Sequence, residues 1–241
     1  MPRILVLGMS HVVALAASLT GAERAFVEVV NLREAPDIYV AKTGRLDLGA
    51  RRWDRPSTVC LLIDGNLHNV LALLENPTAF RLGDAALGAV PADPSRHFVP
   101  RDMMRAFLEA RLERVARLTR TAHGFFPEAR FVHLGAPPPV RALRPADPAA
   151  AADPQEEMSR FLAFDAAPPE LRRRIHEVQQ EVYARLAAEL GALFLGPPEA
   201  ALTADGLLDD AYWDRDPTHG NRAYGRLVMD RILSLAMREA A

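Results

Sequence analysis

Near the end of the chain, in DRDPTHGNRAYGRLVMDRIL (214–233), an Asp and a His stand three residues apart. Apolar residues then recur at helical spacing, so a helix begins here and its first turn needs a cap. Asp216 could be that cap, with His219 incidental. The same spacing also lets a carboxylate reach an imidazole. Asp216 would then hold the Nδ1–H of His219 and leave Nε2 free to take a proton from a hydroxyl. Pro217 fixes the backbone on the way into the turn. Two other short stretches offer complementary groups. Ser10, in GMSH (8–11), either caps a helix or presents a nucleophilic hydroxyl, with free helix-start amides behind it to favour developing negative charge. Asn66, in DGNLHN (64–69), either closes a turn or offers its amide to an oxyanion.

The elements that must position these groups follow from periodicity. Short apolar runs at 3–8, 24–32, 56–66, 129–139 and 192–196 predict five buried strands. Helical spacing predicts helices over 10–19 (with Ser10 at the N-cap), 69–76, 103–122, 169–191 and from Thr218 onward. Strand alternating with helix predicts an α/β fold, a five-stranded parallel sheet inside a three-layer α/β/α sandwich. Such sheets bind ligands beyond the carboxyl ends of their strands, near the reversal of strand order. Ser10, Asn66 and the Asp216/His219 pair each follow a strand, so this fold would gather them on one edge. Ser10 and Asn66 alone read first as a helix cap or turn, and Asp216/His219 reads either way; their coincidence favours chemistry. The chain reads as one domain, 1–241, with loop insertions at about 77–100 and 137–168. The second holds the turn-rich RALRPADPAAAADPQEE (141–157) and reads as a lid.

Composition removes several classes of function. Of 241 residues, 29 are Lys or Arg and 31 Asp or Glu, a formal net charge of −2 that gives no electrostatic reason for a nucleic-acid partner. The single cysteine, Cys60, excludes an internal disulfide and a cysteine-based zinc site, and inside STVCLLID it reads as a small buried hydrophobe. No G-x-G-x-x-G follows the first strand, and neither a P-loop nor a G-x-S-x-G elbow occurs. No metal and no cofactor is expected. The starting run MPRILVLG is too short for a membrane span and has no cleavage site after it, so the expectation is a cytoplasmic protein with no membrane partner.

These motifs together resemble the SGNH hydrolases, the GDSL-like esterases and lipases. Gly8-Met9-Ser10 is similar to that family's nucleophile block, with Met9 in place of Asp, and Asp64-Gly65-Asn66 to its G-x-N block, with Asp64 in place of Gly. Asp216-Pro217-Thr218-His219 matches the terminal D-x-x-H block, and VHLGAPPPVR is similar to the proline-bearing segment after the fourth strand. The resemblance spans residues 3–235 and implies a flavodoxin-like SGNH-hydrolase fold. It further implies a catalytic triad of Ser10, His219 and Asp216, and oxyanion donors from Asn66, the Ser10 amide and a glycine, for which Gly44 is the candidate. The reaction implied is ester hydrolysis through an acyl-enzyme, on a small acyl ester or an acylated carbohydrate. An acyltransferase with the same triad, or a ligand-binding member without turnover, are the alternatives. His11, His68 and Arg141 are candidates for contacting an anionic or sugar substrate.

Overall fold

A computed structural model describes residues 3–84, 95–142 and 165–238. Five parallel strands form the central sheet: β1 (Ile4–Gly8), β2 (Val27–Asn31), β5 (Thr58–Leu62), β8 (Arg130–Leu134) and β9 (Leu193–Leu195). Their order is β2-β1-β5-β8-β9. Two small pairs lie outside it: antiparallel β3 (Tyr39–Val40) with β4 (Arg45–Leu46), and parallel β6 (Phe80–Gly83) with β7 (His97–Pro100). The expected five-stranded α/β architecture is therefore present, in the doubly wound order whose switch point lies between β1 and β5.

Alternation along each strand builds the two cores. Leu5 and Leu7 of β1, Val59 and Leu61 of β5 and Phe131 of β8 face one side. There they meet α3 (Arg101–Arg111), α4 (Glu113–Phe125) and α5 (Pro169–Glu189) through Leu108, Leu118, Ile175 and Val178. Ile4, Val6, Cys60, Leu62 and Val132 face the other side, against α1 (Val12–Ser18) and α6 (Arg222–Arg238). Both faces of the strands are apolar because both are covered. Cys60 is the buried hydrophobe that its setting implied, and burial pushes its thiol up to about 12. Residues 103–122 form two helices rather than one. Leu112 (φ −92°, ψ 6°) separates α3, which packs on α5 and the β6–β7 pair, from α4, which packs beside β4.

The insertion expected at about 77–100 carries β6 and β7 at its two ends. The lid segment 141–157 lies almost wholly outside the described residues. Arg172, buried in α5, donates to the carbonyls of Val140, Arg141 and Ala167 and so anchors both flanks of that insertion. Among the described residues, no helix is long and apolar enough to cross a membrane.

Candidate active site

The switch point brings two of the motifs side by side. Gly8 is in register with Leu62 across β1 and β5, so the chain leaves both strands at one level. Ser10 and His11 follow β1; Asp64, Gly65 and Asn66 follow β5. Ser10 is partly buried in the turn before α1, whose N-cap is His11 with no side-chain capping bond. The expectation that Ser10 caps this helix is thus corrected. α1 starts at Val12, two residues beyond Ser10, because Met9 and Ser10 spend their carbonyls on the Val12 and Val13 amides in closing the turn.

Asn66 precedes α2 (Leu67–Ala72) and likewise makes no side-chain cap. Its Oδ1 is buried with no aligned hydrogen-bond partner. Asp64 takes φ +56°, a left-handed conformation that suits Gly best and that Asp tolerates better than most residues. An Asp can therefore stand where Gly would be least strained. The turn is braced from α5. Gln179 Nε2 donates to the Gly65 carbonyl (2.8 Å) and its Oε1 accepts from the His68 amide (2.8 Å). The Tyr183 hydroxyl donates to the Asp64 carbonyl (2.8 Å).

The Asp216/His219 segment reaches this region through helix packing rather than through its strand. β9 is the edge strand farthest from β1 and β2, but α6 crosses back to lie on α1. The contact is close. A Cβ on Gly225 would stand 2.1 Å from the Ala14 carbonyl oxygen, so only glycine lets the two backbones approach this far. α6 begins at Arg222, not at Thr218, and its cap is Asn221, whose Oδ1 accepts from the Ala223 and Tyr224 amides. Asp216 therefore has no capping duty. Its Oδ2 accepts from His219 Nδ1 at 2.7 Å, and its Oδ1 accepts from the Thr218 amide (2.8 Å) and hydroxyl (2.6 Å). Trp213 Nε1 donates to the Asp216 carbonyl, and the His219 carbonyl accepts the Asp214 amide. The segment is a braced loop in which an imidazole is held by one nitrogen. Burial raises the Asp216 pKa, but the bonds from His219 and Thr218 outweigh it and hold the carboxyl down to about 2. His219 Nε2 is buried and has no hydrogen-bond partner.

What approaches His219 is His11. The two rings lie 4.7 Å apart, centroid to centroid, tilted by 45°. His11 is 4% exposed, and burial, reinforced by His219, lowers its pKa to about 3. Ser10, the adjacent residue, makes no hydrogen bond to His219 in this structure. His68 takes a different place from the expected one. It is buried beneath the crevice with Nδ1 3.1 Å from the Gly65 carbonyl and its ring edge-on to His176 at 4.8 Å. The reason is that the first turn of α2 packs on α5, which turns His68 toward the core. Gly44 also departs from expectation. It has φ +63° in the β3–β4 hairpin, gives its amide to the Val40 carbonyl (2.8 Å) and lies against Arg114 of α4, so its N–H is already spent. Arg141 is ion-paired with Asp205. Thr218, Asn221 and Gln179 brace the site without being among its expected catalytic or binding residues. Thr218 and Asn221 sit within or beside the D-P-T-H motif, whereas nothing local marks Gln179, which acts 114 residues away.

No group of His, Cys, Asp and Glu that could hold a metal occurs among the described residues. No known sequence family matches the chain, and no curated protein matches it in sequence. Solved structures do. An extracellular lipase from Streptomyces rimosus aligns at TM-score 0.52 and 14% identity, over 98% of this chain and 100% of that one. A Streptococcus pneumonia protein assigned as a platelet activating factor aligns at 0.52 and 14%, over 98% and 84%. A Bacteroides fragilis protein assigned as an acylhydrolase aligns at 0.51 and 11%, over 99% and 88%. The chain shares its fold with these three structures.

Proposed function

We propose that the chain is a serine esterase in which Ser10 is the nucleophile, His219 the general base and Asp216 the residue that orients it. One observation carries the reading: Asp216 holds His219 by Nδ1, while Nε2 is left without a partner beside the turn that bears Ser10. A carboxylate in that position fixes the imidazole tautomer whose Nε2 accepts a proton, and it stabilises the imidazolium that results. Ser10 Oγ attacks the ester carbonyl as its proton passes to Nε2, and the proton then moves to the leaving alcohol. Water, activated by the same nitrogen, cleaves the acyl-enzyme. The Ser10–His219 hydrogen bond forms with substrate in place, as such bonds often tighten only in the complex. Asn66 and the Ser10 amide hold the oxyanion. Gly44 is left out of the donor set because its amide is bonded within its own hairpin. The substrate is an ester, with a small acyl ester or an acylated carbohydrate as the class to screen.

A fluorophosphonate probe tests the scheme directly. It should label the native protein and leave Ser10→Ala unlabelled, and p-nitrophenyl acetate turnover should vanish in Ser10→Ala and His219→Ala alike. Equal labelling of native protein and Ser10→Ala would overturn it.

A further inference from the structure

We propose that His11 is a positioning residue: its neutral imidazole donates a ring N–H to Asn66 Oδ1 and so turns the Asn66 amide toward the oxyanion. The inference rests on the serine-esterase reading and goes beyond the triad and donors named there.

The starting point is an imbalance of polar groups. Both ring nitrogens of His11 are buried without an aligned hydrogen-bond partner, and so is Asn66 Oδ1. A buried polar atom left unpaired loses its hydration without compensation, so a donor and an acceptor orphaned side by side are expected to pair. The groups are close together. A Cβ on Gly65 would meet His11 Cδ2 and Nε2 at 2.9 Å each, which puts the imidazole against the backbone that carries Asn66. The Asn66 side chain lies near enough to the His11 ring to favour its protonated form, although no aligned bond joins them.

The ring and the amide each carry a donor and an acceptor, and the direction follows from Oδ1 being the Asn66 atom that is buried and unpaired. A neutral imidazole has one N–H, and the amide has one acceptor oxygen and one donor nitrogen. Once Oδ1 accepts from His11, Nδ2 must point away from that ring, and no helix-capping bond competes for Oδ1. Keeping His11 neutral serves the same end. Burial and the neighbouring His219 both oppose its protonation, so no second cation forms beside His219 when that ring takes up the Ser10 proton.

The test is a double-mutant cycle on the full chain with p-nitrophenyl acetate, using His11→Phe, His11→Gln, Asn66→Ala and the combinations with Asn66→Ala. His11→Phe keeps a ring of similar size without an N–H. It should lower kcat about 10- to 100-fold with KM within about twofold, less than the 10²–10³-fold that losing an oxyanion donor itself costs. His11→Gln, which restores an N–H, should recover at least about a third of the logarithmic loss. In the Asn66→Ala background either change should cost less than about twofold, since coupled groups are not additive. Losses of equal size with and without Asn66 would overturn the inference, as would equal losses in Phe and Gln or none in either. Should His11→Phe fail to fold, the Gln arm of the cycle decides by the same criterion. Fluorophosphonate labelling run in parallel separates the two failures: labelling that does not need Ser10 removes the esterase reading, whereas Ser10-dependent labelling with additive losses removes only the role of His11.

Discussion

Acid should unfold this protein well before its carboxylates titrate, because its buried histidines are neutral. His11 is lowered to about 3, and His133 and His176 to about 4, all chiefly by burial; His68 moves the same way. Unfolding returns each to an ordinary pKa of about 6.5, so below that value the unfolded chain binds more protons than the folded one and stability falls with pH. At pH 5 each imidazole then costs about 2 kcal/mol relative to pH 7.5, at 1.36 kcal/mol per unit of separation. The three with assigned values together cost about 6 kcal/mol, a large share of the 5–15 kcal/mol typical of a folded domain. Asp216 does not contribute in this window. Its carboxyl is held down to about 2, so its stabilisation is complete above the usual carboxylate range and fades only as pH falls toward 2. Urea unfolding at pH 7.5, 6.0 and 5.0 measures the effect. His133 sits in β8 with its ring 4.8 Å from that of Tyr183, and both its nitrogens are buried without hydrogen bonds. His133→Phe should therefore remove about 2 kcal/mol of the pH-dependent loss. A total loss below about 2 kcal/mol between pH 7.5 and 5, one imidazole's worth, would refute the reasoning.

Asp216→Asn removes a carboxylate whose pKa is held down to about 2, so it should cost about 2 kcal/mol of stability at pH 7 and lower kcat by about 10⁴, the size seen when a triad loses its orienting carboxylate; circular dichroism melts and ester kinetics on one preparation check both halves. Gly225→Ala drives a methyl into the Ala14 backbone, and should cost about 1–3 kcal/mol in urea unfolding as α6 lifts from α1. Activity should fall with it, because α6 carries the His219 loop. At the left-handed position 64, Asp64→Gly should be neutral or slightly stabilising, whereas Asp64→Val should cost about 1–2 kcal/mol; denaturation midpoints that ranked the two alike would contradict the backbone assignment.

The strands and their order of use were legible because each is a short apolar run closed by turn residues. Burial on both faces leaves no other pattern for them. Ser10, Asn66 and the Asp216/His219 pair were legible as candidates because all follow such runs. Their alternative duty as helix caps could not be dismissed from sequence, since capping is local and any of them could have met it. The folded chain removes that duty by giving α6 its cap from Asn221 and by leaving Ser10 and Asn66 with no capping bond.

By itself the sequence determined a parallel sheet covered on both faces, and it set a carboxylate three residues before an imidazole near the end of the chain and a hydroxyl and an amide at strand ends, for these depend on spacings of a few residues. Only the tertiary structure decided how the last segment returns from the far edge strand to the β1–β5 switch point. That depends on α6 packing against α1 across the bare face of Gly225, a contact between residues more than two hundred positions apart. It also decided that His68 turns inward, that Gly44 spends its amide within a hairpin, and that His11 becomes the neighbour of His219. Such pairings are set by which surfaces meet when the layers close, and no local pattern of residues encodes them.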